Sequence, residues 1–494
     1  MIKRNLKLTY TLVAIAVISL AAYVVVVKNT DKNSNMSSSM MENKTHVADP
    51  MQSNNDSNKQ SIETNLPIPK LLENETPASK VDDFTLTVGQ GTTTFMNGKS
   101  TETYGYNGNF LGPVIRVNKG DDVNIHLNNN LNEDTTIHWH GLNVDGNIDG
   151  GPHQPIASGS SADINFSINQ PASTLWFHPH LGGKTGEQVY KGLAGLLYVE
   201  DEVSKSLNIP KEYGVNDIPL IVQDRYFDNS GNLSYDSSQM MDGALGNTIL
   251  VNGAINPYLD VKRVKMRFRL VNGSNARIYS FTLSNGDDFE QIASDGGFLE
   301  KPVKMNKLEL GPGERGEIVI DFSKYDKGTT LFLTGGDFNV LKFNVKDDGI
   351  DTTEIPASLT QITQLPQSSA KTVRKFNLQG MGNMVSINGK QLDMNRIDFK
   401  VKLNDTEIWE ITNPKDMMGG MSHPFHVHGV QFQVLSRNGL EPPENERGLK
   451  DTVLVNPDED VKILIKFTQK GLFMYHCHIL EHEDAGMMGQ FEVE

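Results

Sequence analysis

Apolar and polar residues alternate in short runs along most of this chain. Val123, Ile125 and Leu127 take every second position, as do Ile164, Phe166 and Ile168; Met266, Phe268 and Leu270; and Phe399, Val401 and Leu403. A period of two places such side chains on one face of an extended strand. Gly, Asn, Asp and Pro interrupt the runs at short intervals. Many short strands with regular turns predict an all-β body of sandwiches or barrels from about Val81 onward.

The N-terminus follows another pattern. Lys3, Arg4 and Lys7 precede an apolar run from Leu8 to Val27. That length crosses a bilayer once as a helix. The basic flank keeps its own end in the cytoplasm and puts the rest of the chain outside. A cleaved signal peptide is the alternative. The run ends Tyr23-Val24-Val25-Val26-Val27, without a small-x-small site, which favours an uncleaved anchor over 1–27. From 28 to 80 the chain is rich in Asn, Ser, Asp, Glu and Lys, and reads as a disordered polar linker. The methionines in it, Met36, Met40, Met41 and Met51, read as incidental.

The body repeats itself. Ile115–Val123 leads into His138-Trp139-His140-Gly141, and Lys400–Ile411 leads into His426-Val427-His428-Gly429. Each of these units closes on a second His-x-His, His178-Pro179-His180 in the first and His476-Cys477-His478 in the last. A middle unit around Met266–Asn272 has no such pair. Three units are therefore expected, over 81–205, 206–365 and 366–494, each long enough for one β-sandwich.

Ten of the 13 histidines fall in four clusters, leaving only His46, His126 and His153 outside. On a strand, residues i and i+2 share a face, so each His-x-His presents two imidazoles side by side. Four such pairs converge only if the first and last units meet. Cys477, the one cysteine, sits between His476 and His478 and points to the opposite face. His482 and Met487 follow it. A thiolate, two imidazoles and a long axial thioether make a blue-copper electron-transfer site, with His423 the best second imidazole.

The formal net charge of −16 reads first as a means to solubility; as to partners, it disfavours nucleic acid and suits cationic or neutral ones. A lone cysteine allows no internal disulfide, so in an exported chain it is free, paired between chains, or a metal ligand.

The stretches His138–Gly141, Trp176–His180, His423–Gly429 and His476–Met488 resemble the four copper signatures of multicopper oxidases. The resemblance is nearest to bacterial copper-efflux oxidases, spore-coat laccases and bilirubin oxidases. Val222-Gln223-Asp224, Val251-Asn252-Gly253 and Ala293–Gly297 add to it. It implies three cupredoxin-like Greek-key domains and four copper ions. His423, Cys477, His482 and Met487 resemble the type 1 ligands, and His138 and His426 the type 2 pair. His140, His178, His180, His428, His476 and His478 match the type 3 ligands. Two acids match proton-supplying positions: Asp149 near the type 2 copper, and Glu483 beside the type 1 ligand loop.

The resemblance further implies that single electrons from small donors pass over Cys477 and its flanking histidines to a cluster that reduces molecular oxygen to water. Donors would dock by the type 1 copper, a phenol giving its electron through the exposed edge of a type 1 histidine. Asp416, Met418 and Met421, just before His423, resemble a substrate-copper loop. The long methionine- and histidine-rich insert of the efflux oxidases is missing: Gly380–Ile397 holds only Met381, Met384 and Met394. Cu(I), Fe(II), Mn(II), phenols and aryl amines therefore all stay open as donors. Copper tolerance, an extracytoplasmic location and a monomeric chain are the expected setting. A copper-free scaffold and a passive copper store are the rival readings.

Overall fold

The computed structural model describes residues 63–494 except 78, 97, 238, 239 and 416–418. The expected anchor at 1–27, the linker as far as residue 62, and the candidates Asp416 and Met418 lie outside the described residues. Among the described residues no helix is long and apolar enough to cross a membrane.

The alternating runs form strands, and among the described residues the strands form six sheets that pack in three pairs. In the first pair, Lys99–Tyr106, Val81–Met96, Asp122–Asn129 and Ser161–Ser167 make one sheet. Val114–Asn118, Gly195–Glu200, Ser173–His178 and His138–His140 make the other. Phe84, Leu86, Ile125 and Leu127 from one sheet and Ile115, Val117, Phe177 and Leu197 from the other are buried in one core. This is the β-sandwich arrangement, in which inward residues alternate with outward polar ones.

The last unit repeats the first. Each sandwich mixes parallel and antiparallel pairing: Val81–Met96 runs parallel to Asp122–Asn129, and Ala370–Gln379 parallel to Thr406–Asn413. Parallel neighbours cannot be joined by a hairpin, so the chain crosses between sheets in both units. The middle unit packs a six-stranded against a seven-stranded sheet around Leu220, Phe268, Leu270, Phe281 and Phe343.

The disorder expected over 28–80 does not hold for residues 63–77, which are laid against the body. Thr64–Asn65 pairs parallel with the strand beginning at Pro257, Leu66 is buried in the middle core, and Leu71 bridges to Val114. Leu66 supplies the burial, with Ile68 and Leu72 partly buried beside it.

Candidate metal centre

Strand pairing brings the histidines together two by two. His138–His140 pairs with Ser173–His178 so that His138 stands opposite His178. In the last unit His423–Val427 pairs with Gly471–Cys477, setting His426 opposite His476 and Phe425 opposite Cys477. Directly opposed residues project to the same face of a sheet. The two sets then meet between the first and last units. The His138 ring stacks on His428 and the His140 ring on His426, each at 3.8 Å between centroids. The first histidine of each pair thus lies on the second of the other, a local two-fold relation matching the repeat in the sequence. All eight rings are buried.

The hydrogen bonds around these rings decide which nitrogen is free. His138 Nδ1 donates to the Asp149 carbonyl at 2.8 Å and His426 Nδ1 to the Asp451 carbonyl at 2.8 Å. His178 Nδ1 donates to the Pro179 carbonyl at 2.8 Å, and His476 Nδ1 to the Cys477 carbonyl at 3.0 Å. His428 Nδ1 donates to Asp149 Oδ2 at 2.6 Å. With the proton on Nδ1, each Nε2 carries a bare lone pair. His138 Nε2 and His426 Nε2 are buried without any hydrogen-bond partner. His428 Nε2 lies 3.0 Å from His476 Nε2, and His476 Nε2 lies 3.2 Å from His180 Nε2. On the other side His140 Nδ1 lies 3.4 Å from His178 Nε2 and 3.2 Å from His478 Nε2.

Facing lone pairs repel, and orphaned buried acceptors are costly. Protonating the rings offers no relief. Burial, with the neighbouring rings adding to it, holds His140, His180, His426, His428 and His478 well below the ordinary histidine range. His476 is lowered to about 3, chiefly by burial. Metal cations among these nitrogens resolve the conflict, so the donor set fits a buried multinuclear site. Neutral imidazoles anchored by their second nitrogen are what such ligands require.

Cys477 turns the other way, as expected from its position between two inward histidines. Its Sγ lies 3.5 Å from His423 Nδ1 and 3.8 Å from His482 Nδ1. Burial lowers His423 to about 3 and His482 to about 4. Burial also pushes the Cys477 thiol up, so only a bound cation would hold it as thiolate. Met487 is buried against this cluster, its N–H donating to the His482 carbonyl and its carbonyl accepting from the Cys477 N–H.

The expected exposed edge is not found: of the two candidate type 1 histidines, His423 is 1% and His482 0% exposed. The Met241 carbonyl caps His482, accepting from Nε2 at 3.4 Å. Glu483 follows a type 1 candidate in sequence, yet its carboxyl faces the other cluster, 3.5 Å from His180 Nδ1 and 3.3 Å from His476 Nδ1. Burial and the Asp484 charge push its pKa well up. Asp149 Oδ2 lies 2.6 Å from His428 Nδ1 and 3.5 Å from His138 Nδ1, with Oδ1 unpartnered. The turn after it needs glycine, because a Cβ on Gly150, whose φ is +83°, would sit 1.7 Å from the Ile137 carbonyl. Met421 is half-buried and packs against the core holding Cys477 and Met487.

Sequence reading passed over Asp451, Arg315 and Glu481. Asp451 is fully buried with Oδ1 3.0 Å from His140 Nε2. Glu481 accepts from Tyr235, Asn275 and the Ala244 N–H, tying the segment that carries Met241 to the helix that carries His482. The available signal was a charged Lys450-Asp451 heading the apolar strand Thr452–Val455.

Three family models described as multicopper oxidase match residues 87–204, 216–340 and 355–494. The chain belongs to the multicopper oxidase family. It is 47% identical over 425 residues to "Multicopper oxidase mco" of Staphylococcus haemolyticus, covering 86% of this chain and 91% of that one. The crystal structure of a laccase from Pediococcus acidilactici superposes with a TM-score of 0.84 at 42% identity, over 87% of this chain and 94% of the other. A multicopper oxidase from Campylobacter jejuni, titled a metallo-oxidase, gives 0.76 at 30% identity, over 87% and 95%. The protein is thus a cupredoxin-like oxidoreductase of a family that binds four coppers: one type 1, one type 2 and a type 3 pair. It couples one-electron oxidation of donors to reduction of oxygen to water.

Proposed function

We propose that this chain is an extracytoplasmic copper-tolerance oxidase, and that its ligands divide as its hydrogen bonds divide them. His423, Cys477, His482 and Met487 would hold the type 1 copper. His138 and His426, whose Nε2 atoms are orphaned, would hold the type 2 copper. His140, His178 and His478 would hold one type 3 copper, and His180, His428 and His476 the other. Residues 81–205, 206–365 and 366–494 would be the three cupredoxin domains. The single observation that carries this reading is the pair of buried ring clusters whose lone pairs face one another. A copper-free scaffold has no use for such a set.

When bound, the coppers supply single-electron acceptance at one site and four-electron oxygen reduction at the other. The chain's own residues do the rest. The backbone of His476-Cys477-His478 joins the two clusters, giving a short covalent path. The carboxyls of Asp149 and Glu483 abut histidine nitrogens of the inner cluster, where each can hold a proton and pass it inward. The Met241 carbonyl shields His482, so a donor approaches over this segment rather than at a bare ring edge.

Cuprous ion fits as donor, since the family's donors include metal ions and soft sulfur suits Cu(I). Asp416, Met418 and Met421 are the candidate holders. The apolar run Leu8–Val27 with its basic flank supports export and anchoring. A single chain carries the whole ligand set, which supports a working monomer. The second reading, a laccase-like phenol oxidase, draws on the likeness to the Pediococcus laccase.

The test is turnover of Cu(I), Fe(II), Mn(II) and a bulky phenol by the copper-loaded protein and by the double variant Met418→Leu, Met421→Leu. The copper reading expects a raised KM for Cu(I) and a nearly unchanged one for the phenol. Equal losses on both donors would mean the loop only supports the type 1 site. No loss on either would give the phenol oxidase the lead.

A further inference from the structure

Seven of the eight inner histidines turn Nε2 toward the cluster, and His140 alone turns Nδ1 toward it. Nothing in the His-x-His spacing dictates this, since His138 on the same strand does the opposite. The cause lies on the outer edge of the ring. His140 Nε2 meets Asp451 Oδ1 at 3.0 Å and Thr452 Oγ1 at 3.2 Å. The Thr452 hydroxyl also donates to Asp451 Oδ1, at 3.0 Å. An ionised carboxylate only accepts, so the proton of the neutral ring must sit on Nε2, leaving Nδ1 bare.

Asp451 is itself fixed. Arg315 Nη1 and Nη2 grip Oδ1 and Oδ2 at 2.7 and 2.6 Å, and Gln431 adds a bond to Oδ2 at 3.1 Å. The remaining Arg315 donors reach the Thr174, Gly313 and Asp295 carbonyls. Every N–H of the guanidinium is therefore used, and its partners come from all three sandwiches. Two-point pairing fixes orientation as well as charge. His140, His426 and Asp451 lie close enough to suggest a further metal site. The guanidinium on both carboxylate oxygens and the use of His426 Nδ1 on a main-chain carbonyl argue against a cation there.

We infer that Arg315 and Asp451 are positioning residues that select the Nε2–H form of His140, so that the middle sandwich, which contributes no ligand, sets the geometry of the copper cluster. This rests on the reading of the eight histidines as that cluster. It predicts that Asp451→Asn, which offers one acceptor where Arg315 and His140 need two, weakens copper retention at the cluster by roughly 10- to 100-fold. The near-ultraviolet absorption of the coupled copper pair should be lost, while the blue colour set by Cys477 stays. Full copper content with unchanged near-ultraviolet absorption in this variant would overturn the inference. A second measurement does not depend on the variant folding. In copper-free wild-type protein labelled with 15N-histidine, the His140 signal, assigned by its loss in His140→Gln, should show the proton on Nε2. A proton on Nδ1 would equally overturn it. Failure of the cluster reading would show separately, as a wild-type protein that does not take up four coppers.

Discussion

His428 and His476 face each other with their Nε2 atoms 3.0 Å apart, and each donates its Nδ1–H to an oxygen on the far side. His428 follows directly on the strand His423–Val427, which pairs with Gly471–Cys477, and its N–H donates to the Met474 carbonyl, so the pairing of the two segments carries His428 to His476. A fold that holds two lone pairs together in a buried place is built around a cation.

His423 is held at about 3 against an ordinary 6.5, mainly by burial. Its folded pKa is lowered, so below pH 6.5 the unfolded chain takes up a proton that the folded chain refuses. The copper-free wild type should therefore lose stability relative to His423→Gln as pH falls, starting near 6.5 and ending near 3. At pH 4.5 the relative loss should reach roughly 2–3 kcal/mol. Denaturant unfolding of both copper-free proteins at pH 7.5 and 4.5 measures it. A stability difference that stays constant with pH would contradict the burial argument.

Met487 is buried beside Cys477 with its backbone tied to both Cys477 and His482. A weak thioether donor stabilises the oxidised copper. Met487→Leu should raise the type 1 potential and keep the colour, because the three strong ligands remain. Potentiometric titration reads the shift; no change, or a fall, removes Met487 as axial group.

Asp149→Asn and Glu483→Gln preserve shape but remove a proton carrier. Copper content and type 1 reduction should survive, while reoxidation of the anaerobically reduced protein by oxygen slows by about 100-fold or more. Stopped-flow mixing follows it. Normal reoxidation in both variants would leave Asp149 and Glu483 as shapers of the Gly150 turn and the Leu480–Asp484 helix.

The sandwiches and the inward rings were legible because both depend on period-two patterning. Val123, Ile125 and Leu127 are all buried, and His138 and His140 are brought together with His426 and His428. Features set by long-range contact were not legible. Glu483 could not be placed from its neighbour His482, because one residue along a helix turns a side chain by about 100°. Asp451 and Arg315 lie 136 positions apart, and the one local signal, a charged pair heading the strand Thr452–Val455, does not say which residue Asp451 meets. The covering of His482 by the Met241 carbonyl spans 241 positions and depends on a backbone atom, which no residue type announces.

The central claim is that these ligands hold coppers that carry electrons from a donor to oxygen. The most direct test is an oxygen electrode run on copper-loaded protein with a metered one-electron donor, beside Cys477→Ser. The account predicts a blue wild-type protein that consumes one oxygen per four donor electrons without accumulating peroxide, and a colourless variant that consumes none in multi-turnover assay. Copper binding without oxygen uptake in the wild type, or undiminished colour and turnover in Cys477→Ser, would contradict it.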